Sequence, residues 1–283
     1  MNHLISITKS DGTKQLFEEE KLVNSLKHAG ASDEAIDEII DQVEANMKEG
    51  MTTNEIYGHA FSFLRKQSFH IATKYSVRRA LAELGPDGFP FEKFVSRIFH
   101  VWGYETLTDQ HIMGSCIEHE VDVVAWKGDT LAMVEAKFHH EFGLKSDVKV
   151  ALYVKARFDD IQENTFDFGA TRRKLTERWL FTNTKFTEQA IKYGGCTNLK
   201  MIGWNYPSSG NLHTIIEEFK LHPVTCVTSL TFQHKRDLVG RNIITCADLI
   251  KRPEILKEIG IRSEEEAAKM IHEAKLIIGA VKE

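Results

Sequence analysis

The sequence predicts a multidomain protein of mixed α+β and α/β class: an N-terminal β-hairpin followed by four helices, a central mixed sheet flanked by helices, and a small helical C-terminal domain. Three observations carry that expectation. Residues 118–138 hold two runs of β-branched and apolar residues on either side of Gly128-Asp129, and a glycine in first place suits a two-residue II′ hairpin turn. Apolar residues recur at helical spacing through most of the chain before Gly85 and after Pro223, whereas strand-like runs gather between them. Gly85-Pro86-Asp87-Gly88 and Pro223 punctuate the chain, which sets domain boundaries at 1–86, 87–222 and 223–283.

A chain of 283 residues with 42% hydrophobic and 27% charged content has the composition of an ordinary soluble protein large enough for two or three domains. Residues 1–10 lack a basic stretch leading into an apolar run, and no segment approaches eighteen apolar residues in a row, so a cytoplasmic protein without membrane contact is expected. Cys116, Cys196, Cys226 and Cys246 are widely spaced, which suggests neither a zinc ribbon nor a disulfide framework. The net charge of −5 does not announce a nucleic-acid binder, so any DNA contact must come from local lysines and arginines.

The N-terminal domain opens with strand-like runs at 4–9 and 14–17 around Ser10-Asp11-Gly12-Thr13. Helical patterns follow at about 19–29, 33–47, 53–67 and 71–84. Gly30, Gly50 and Gly85 stand where helices should stop, and Thr52 and Glu55 have the spacing of a capping box. A hairpin and four helices beginning Ile7-Thr8-Lys9-Ser10-Asp11-Gly12-Thr13-Lys14-Gln15-Leu16-Phe17, then Lys21, and running through Met51-Thr52-Thr53-Asn54-Glu55-Ile56-Tyr57, resemble the ATP-cone, the nucleotide-sensing module of ribonucleotide reductases. The resemblance implies an ATP or dATP effector, with Lys9 and Lys21 on phosphates, Ile7 and Ile56 against the base, and Thr53 and Tyr57 also at nucleotide-holding positions. Ser10 stands where that family more often has arginine.

In the central domain, Phe91, Phe94, Val95, Ile98 and Phe99 repeat at helical spacing, predicting a helix over 90–102 with Gly103 as its stop. A first strand is expected at 104–108, and the hairpin follows. With Gly128-Asp129 as the turn, Asp122 falls opposite Glu135 and Glu120 opposite Lys137, and the strand period of two places all four on one face. Two carboxylates at a paired Cβ spacing of roughly 5 Å repel unless one is protonated or a cation sits between them. Mg²⁺ prefers such oxygen ligands, taking one or two carboxylates with waters and phosphate oxygens. Lys137 would point at the same place, to orient or help deprotonate water or to neutralise charge on a phosphate. The neighbouring Val121, Val123, Val124, Met133, Val134 and Phe138 are apolar on both faces, as befits a central strand pair with its charges near one end.

Asp122 and Glu135-Ala136-Lys137 resemble the D…E-x-K pattern of the PD-(D/E)xK nuclease superfamily, particularly its Mrr-like restriction endonuclease branch. Residues 179–187 followed by Ala190 look like that family's later strand and helix, and the expected order α, β, β, β, α, β, α, β is the superfamily's. The resemblance implies a restriction-endonuclease-like mixed sheet, with Asp122 and Glu135 holding Mg²⁺ or Mn²⁺. Glu120 is either a further acid or the salt partner of Lys137. Glu92 is either an acid near the metal or a first-turn glutamate favoured by the helix dipole.

His139-His140 reads as a loop at the mouth of the cleft, since adjacent histidines on a strand point to opposite faces. A helix over 147–161 would bury Val148, Leu152 and Phe158 and present Lys149, Lys155 and Arg157 to a DNA backbone, with Arg172 and Arg173 as further contacts before a strand at 179–184. A helix at 185–193, a strand at 199–204 and a helix at 212–221 complete the domain. After Pro223, helical patterns at 230–239, 245–250, 254–259 and 263–279, the last opening with a Ser263/Glu266 capping box, resemble helix-hairpin-helix or SAM-like folds. Backbone-phosphate binding and a dimerisation or packing role are both open for them.

Two functions fit. One is a Mg²⁺-dependent DNA endonuclease regulated by ATP or dATP, in restriction, defence or repair, with DNA, nucleotide and further copies of the chain as partners. The other is a nucleotide-sensing DNA-binding regulator without cleavage.

Overall fold

The computed structural model of the protein describes residues 5–9, 12–29, 31–67, 69–85, 87–141 and 143–281. Ser10 and Asp11 of the first hairpin turn, Gly30 as a helix stop and Pro86 of the linker lie outside those residues, as do residues 1–4.

Ser6–Thr8 (β1) pairs antiparallel with Lys14–Leu16 (β2), and Glu19–Ala29 (α1), Asp33–Asn46 (α2), Thr53–Gln67 (α3) and Phe69–Ala82 (α4) follow. The expected capping box starts α3: the Thr52 N–H donates to the Glu55 carboxylate at 2.8 Å, and the Glu55 N–H donates to the Thr52 hydroxyl at 3.2 Å. Ile7 of the hairpin shares a buried core with Leu26, Ile39, Ile56 and Leu64, which pins the strands onto the helices.

Phe89–Val101 (α5) buries Phe91, Phe94, Val95, Ile98 and Phe99 completely, as their spacing requires. Then come Glu105–Met113 (β3), Glu118–Lys127 (β4) and Thr130–Lys137 (β5), with β3 running five residues past the expected strand end. The turn between β4 and β5 has Gly128 at φ +55, a conformation that costs a glycine little. Lys145–Ser146 (β6) precedes Val148–Ile161 (α6), whose first turn is capped by the Asp147 carboxylate. Its buried line is Ala151, Val154, Phe158 and Ile161, and Leu152, expected in the core, is 46% exposed because it falls between those positions.

Thr165–Phe168 (β7) and Thr171–Lys174 (β8) form a small hairpin, absent from the sequence reading, around Gly169 at φ +65. Glu177–Thr182 (β9), Lys185–Phe186 (β10), Glu188–Cys196 (α7) and Lys200–Ile202 (β11) follow. The helix expected from 185 starts at Glu188, capped by Thr187, because Lys185 and Phe186 pair with β6 instead. The principal sheet has the order β11-β9-β5-β4-β3, antiparallel on the β3 side and parallel on the β9 side, with β5 at its centre.

Leu212–Phe219 (α8) leads to a single 3-10 turn at Val224–Cys226 and to Phe232–Gly240 (α9), Cys246–Lys251 (α10), Ile255–Glu258 (α11) and Glu264–Ile277 (α12). The complete capping box here is Thr245 with Asp248; Ser263 accepts the Glu266 N–H at 3.3 Å, and among the described residues the return bond is not formed. One apolar core runs from Leu81 and Leu84 through α5 and one face of the sheet to Leu238, Leu256 and Ile277, so both expected boundaries fall within continuous packing. The Thr225 hydroxyl donates to the Ala80 carbonyl at 2.5 Å inside it. No helix among the described residues is long and apolar enough to cross a membrane.

Candidate functional site

The hairpin keeps the register its turn dictates, with Lys127 opposite Thr130 and Val123 opposite Val134, and there the β4–β5 ladder stops. Asp122 and Glu135 come one residue later, where the strands part. The direct pairings expected for Asp122 with Glu135 and for Glu120 with Lys137 therefore do not form. Instead the Asp122 carboxylate accepts the Ala136 backbone N–H at 2.6 Å, replacing the acceptor a ladder partner would have supplied. On its other side β5 stays paired with β9, Glu135 opposite Leu180 and Lys137 opposite Thr182, which fixes the Glu-Ala-Lys segment.

The inside–outside alternation also breaks at Asp122. Val121 packs in the core that holds Val124 and Trp126, whereas Val123 and Ala125 pack in the other. On β3, Asp109 takes a left-handed conformation at φ 56. The four charged residues thus do not share one regular face, and they converge through the irregularity rather than through the ladder. Among the described residues no ion pair joins Glu120 to Lys137, so the salt-partner alternative for Glu120 is not realised.

Glu92, from the first turn of α5, faces this cluster. Burial, then the charges of Asp122, Asp109, Glu120 and Glu135, push its carboxyl up to about 8. Burial also raises the Asp122 carboxyl against the opposing effects of the Ala136 N–H and Arg157. The Glu135 carboxyl is raised by burial and by Asp122, against Arg157 and Lys137. Asp109 is an acid that the sequence reading missed. The signal was there in a lone aspartate inside a strand pattern, since aspartate tolerates the left-handed region better than most side chains.

Arg157 lies inside the cluster. One guanidinium nitrogen donates to the Glu135 carboxylate and to the Glu120 backbone carbonyl, the latter at 2.7 Å, and another donates to the Tyr153 hydroxyl at 2.5 Å. Burial works against its charge, but Glu135 and Tyr153 outweigh that and raise its pKa. Arg157 is thus an internal counter-ion rather than the expected DNA contact. Lys155 is tied to Asp159 at 2.5 Å, and Arg173 donates to the carbonyls of Gly128 at 2.7 Å, Phe168, and Thr171 at 2.9 Å. Lys149 and Arg172 are the exposed members of the expected set, Arg172 reaching the Thr165 hydroxyl at 2.7 Å.

The donor chemistry of Asp122 and Glu135 suits a hard divalent cation: two largely buried, mutually repelling carboxylates, of which Glu135 is paired with Arg157. Among the described residues no three His, Cys, Asp or Glu side chains are grouped to hold a metal alone, so most of the coordination sphere would fall to water and substrate. A larger, open hollow of about 460 Å³ beside the end of β3 is lined by His111, Phe166 and Arg172 and contains none of these acids.

In the N-terminal domain a cavity of about 200 Å³ is lined by five of the six residues expected there, Ile7, Lys21, Thr53, Ile56 and Tyr57, together with Phe17, Glu18 and Tyr75. Tyr57 stacks on Tyr75 with ring centroids 4.9 Å apart, and burial raises the phenol pKa of both. Lys21 is held by Glu18 at 2.7 Å. Lys9 does not line the cavity; its backbone N–H closes the hairpin onto the Thr13 carbonyl.

The family model of the ATP cone domain matches residues 5–83, and the model described as AF1548-like, C-terminal, matches residues 222–278. An uncharacterized protein of Archaeoglobus fulgidus is 36% identical over 186 residues, which cover 65% of this chain and all of the relative. Among solved structures, the crystal structure of AF1548, a protein of unknown function, superposes with a TM-score of 0.56 at 34% identity, over 69% of this chain and all of that one.

Proposed function

Taking as premise that the chain belongs to the AF1548-like family and carries an ATP cone, we propose that it is a nucleotide-regulated, divalent-metal-dependent endonuclease acting on DNA. The observation that carries the reading is the convergence of Asp122 and Glu135 at the point where β4 and β5 part, with Lys137 close enough for its charge to act on both. Buried carboxylates crowded together are expensive for a fold and useful to a phosphodiesterase.

Asp122 and Glu135 would hold Mg²⁺ or Mn²⁺, and the bound ion would supply Lewis-acid polarisation of the phosphate and a water acidic enough to attack at neutral pH. Lys137 offsets the charge that builds on the phosphate as the new O–P bond forms and the old one breaks. Glu92 keeps its proton near neutrality and can give it to the departing oxygen. Lys149 and Arg172 are exposed cations available to the DNA backbone, and the cone, through differential nucleotide affinity for two conformations or for a homo-oligomer, would set activity without hydrolysing its ligand.

One observation favours the second reading, a DNA-binding regulator without cleavage: Arg157 already neutralises Glu135. Plasmid nicking in Mg²⁺ or Mn²⁺, across plain, methylated and branched DNA with and without ATP, separates the two. Nicking lost in both Glu135→Ala and Lys137→Ala supports the enzyme. Nicking that survives both, or DNA binding by the wild type with no nicking in any metal, removes it.

A further inference from the structure

Two of the strands around the carboxylates run on past them. β3 and β4 stay paired from Gln110 with Val121 to Met113 with Glu118, and the turn that joins them is held against the end of α6. The Asp160 carboxylate of α6 accepts the Cys116 N–H at 2.8 Å and the Ile117 N–H at 3.3 Å, and lies 2.8 Å from a His119 ring nitrogen. Its backbone carbonyl accepts the Ser115 N–H at 2.8 Å. Gly114 lets the turn come this close, since a Cβ there would collide with that carboxylate. On this fixed tip Met113 is 57% exposed and Ile117 60%, so two large apolar side chains stand in water on a turn that is not free to fold them away.

Met113 is also one wall of the open hollow of about 460 Å³ beside the end of β3, a size within the range of roughly 300–1,000 Å³ usual for ligand sites. Its other walls include the half-buried Phe166 of β7 and Arg172 of β8, with Glu163 and Asn164 between α6 and β7. Asn164 donates to the Met113 carbonyl at 3.0 Å, which leaves its amide oxygen to accept. Arg172 spends its Nε on the Thr165 hydroxyl at 2.7 Å, which leaves its terminal nitrogens to donate. Charge is close to balanced, because Glu163 offsets Arg172 and His111 is paired with Glu118 at 3.4 Å. An aromatic ring, donors and acceptors with little net charge suit a neutral planar heterocycle better than a phosphate. The hollow is also near the acids: His111 is paired with Glu120, two residues from Asp122, and Met113 with Glu118, four residues from it. At about 3.3 Å per residue of strand and about 3.4 Å per base step, that is about two to four nucleotides along a nucleic-acid strand.

We propose that the hollow receives one unpaired base of the DNA whose phosphate lies at Asp122 and Glu135. The base stacks on Phe166 and its edge meets Arg172 and Asn164, while Met113 and Ile117 on the tip wedge against the bases beside the gap. The substrate class is then DNA with an unpaired nucleotide about two to four positions from the scissile bond, in place of uniform duplex. This rests on the nuclease reading of the carboxylates and specifies its substrate. A base inside a continuous duplex must be unstacked and unpaired before it can enter, whereas one that is already unpaired enters at the least cost.

The test is fluorescence titration of the full chain, with Ca²⁺ in place of Mg²⁺ as a hard cation for the same oxygens. Two duplexes are compared that differ only in one extra, unpaired nucleotide carrying a fluorescent adenine analogue that dims on stacking. The proteins are the wild type, Phe166→Ala, Phe166→Tyr and a Met113→Ser/Ile117→Ser variant, each checked by thermal melting. The expected result is that the wild type binds the duplex with the extra base about tenfold or more tighter and quenches the analogue. Phe166→Ala and the tip variant bring the ratio of the two affinities close to one, and Phe166→Tyr keeps both the preference and the quench. Equal affinity of the wild type for the two duplexes overturns the proposal, as does an unchanged ratio in a folded Phe166→Ala or in the tip variant. If Phe166→Ala does not fold, the tip variant, changed only at exposed positions, decides by itself. A tip variant that alters the particle mass in light scattering and leaves the ratio unchanged makes the tip an interface between copies, and also overturns it. A wild-type preference for the unpaired base without nicking in Mg²⁺ removes the enzyme reading and leaves the base site standing. If the wild type binds neither duplex, both fall.

Discussion

The Asp122 carboxylate, one residue beyond the last paired residue of β4, accepts at 2.6 Å the backbone N–H of Ala136, two residues beyond the last paired residue of β5. One side chain therefore does two things. It satisfies a backbone donor that the parting strands would otherwise strand in a largely buried place, and it brings a charged group against Glu135. Structure and electrostatics oppose each other at this residue, and substitutions can separate them.

Asp122→Asn keeps an acceptor oxygen for Ala136 and removes the charge, so in chelator at pH 8 it should match or exceed the wild type in urea denaturation while losing metal-dependent nicking. Asp122→Ala leaves the Ala136 N–H without its acceptor and should cost about 1–3 kcal/mol. Equal stability of the two variants would show that the bond contributes nothing.

In chelator, stability should fall as pH rises from about 5 to about 8. Glu92 titrates near 8 in the folded protein, and Asp122 and Glu135 are also raised above the usual carboxylate range. Over that window the unfolded chain has released protons that the folded chain still holds, so the unfolded state binds fewer and the slope of stability with pH is negative. Glu92→Gln should flatten the upper part of the curve. Mg²⁺, which competes with those protons, should raise the melting temperature more at pH 8 than at pH 6.

Arg157→Ala removes the counter-charge of a pair whose side chains are only 11% and 16% exposed. Breaking a buried pair commonly costs about 3–5 kcal/mol, and here the loss should be smaller at pH 6, where Glu135 can take up a proton, than at pH 8. Millimolar Mg²⁺ should then restore more stability to the variant than it adds to the wild type, because the ion and the guanidinium serve the same carboxylate. Identical Mg²⁺ shifts in the two proteins would mean that Arg157 and the ion do not compete.

Much of this was legible in the sequence because it was written in periodicity and turn chemistry. The spacing of Phe91, Phe94, Val95, Ile98 and Phe99 gave the helix and its buried face, and Gly128 gave the hairpin and its register down to Val123 and Val134. What failed was the assumption that the ladder continues. A strand break at Asp122, Asp109 in the left-handed region, and Arg157 reaching from a helix twenty-two residues after Glu135 depend on tertiary packing, for which local pattern has no term. The β7–β8 hairpin was missed for a different reason: its strands are four residues each, too short for alternation to stand out, although Gly169 marks the turn. The cone's cavity was read from family likeness: five of the six residues so named line it and Lys9 does not, since resemblance transfers positions and not side-chain directions.

Filling the cone's cavity should weaken nucleotide binding without unfolding the domain. Thr53 lies in the first turn of α3 and lines the cavity, so Thr53→Leu places a larger apolar side chain into about 200 Å³ of space at modest cost. ATP, ADP and AMP should all lose affinity together. Unchanged titrations with a preserved melting temperature would place the nucleotide elsewhere.

Glu273 of α12 is 8% exposed, and its carboxylate accepts four hydrogen bonds from the turn before α9. One oxygen takes the Thr228 N–H and, at 2.8 Å, the Thr228 hydroxyl; the other takes the Ser229 N–H at 3.1 Å and the Ser229 hydroxyl. Glu273→Ala strands two backbone donors and should cost about 2–4 kcal/mol, more than a surface substitution commonly does. Glu273→Gln keeps one acceptor oxygen and turns an amide toward the other pair of donors, so its loss should be intermediate. Because Ile277 of the same helix shares its core with Leu81 and Phe94, the loss should appear as one cooperative transition shifted as a whole. A separate early transition, with proteolysis confined to residues after Pro223, would show instead that the C-terminal helices are a unit that opens independently of the sheet.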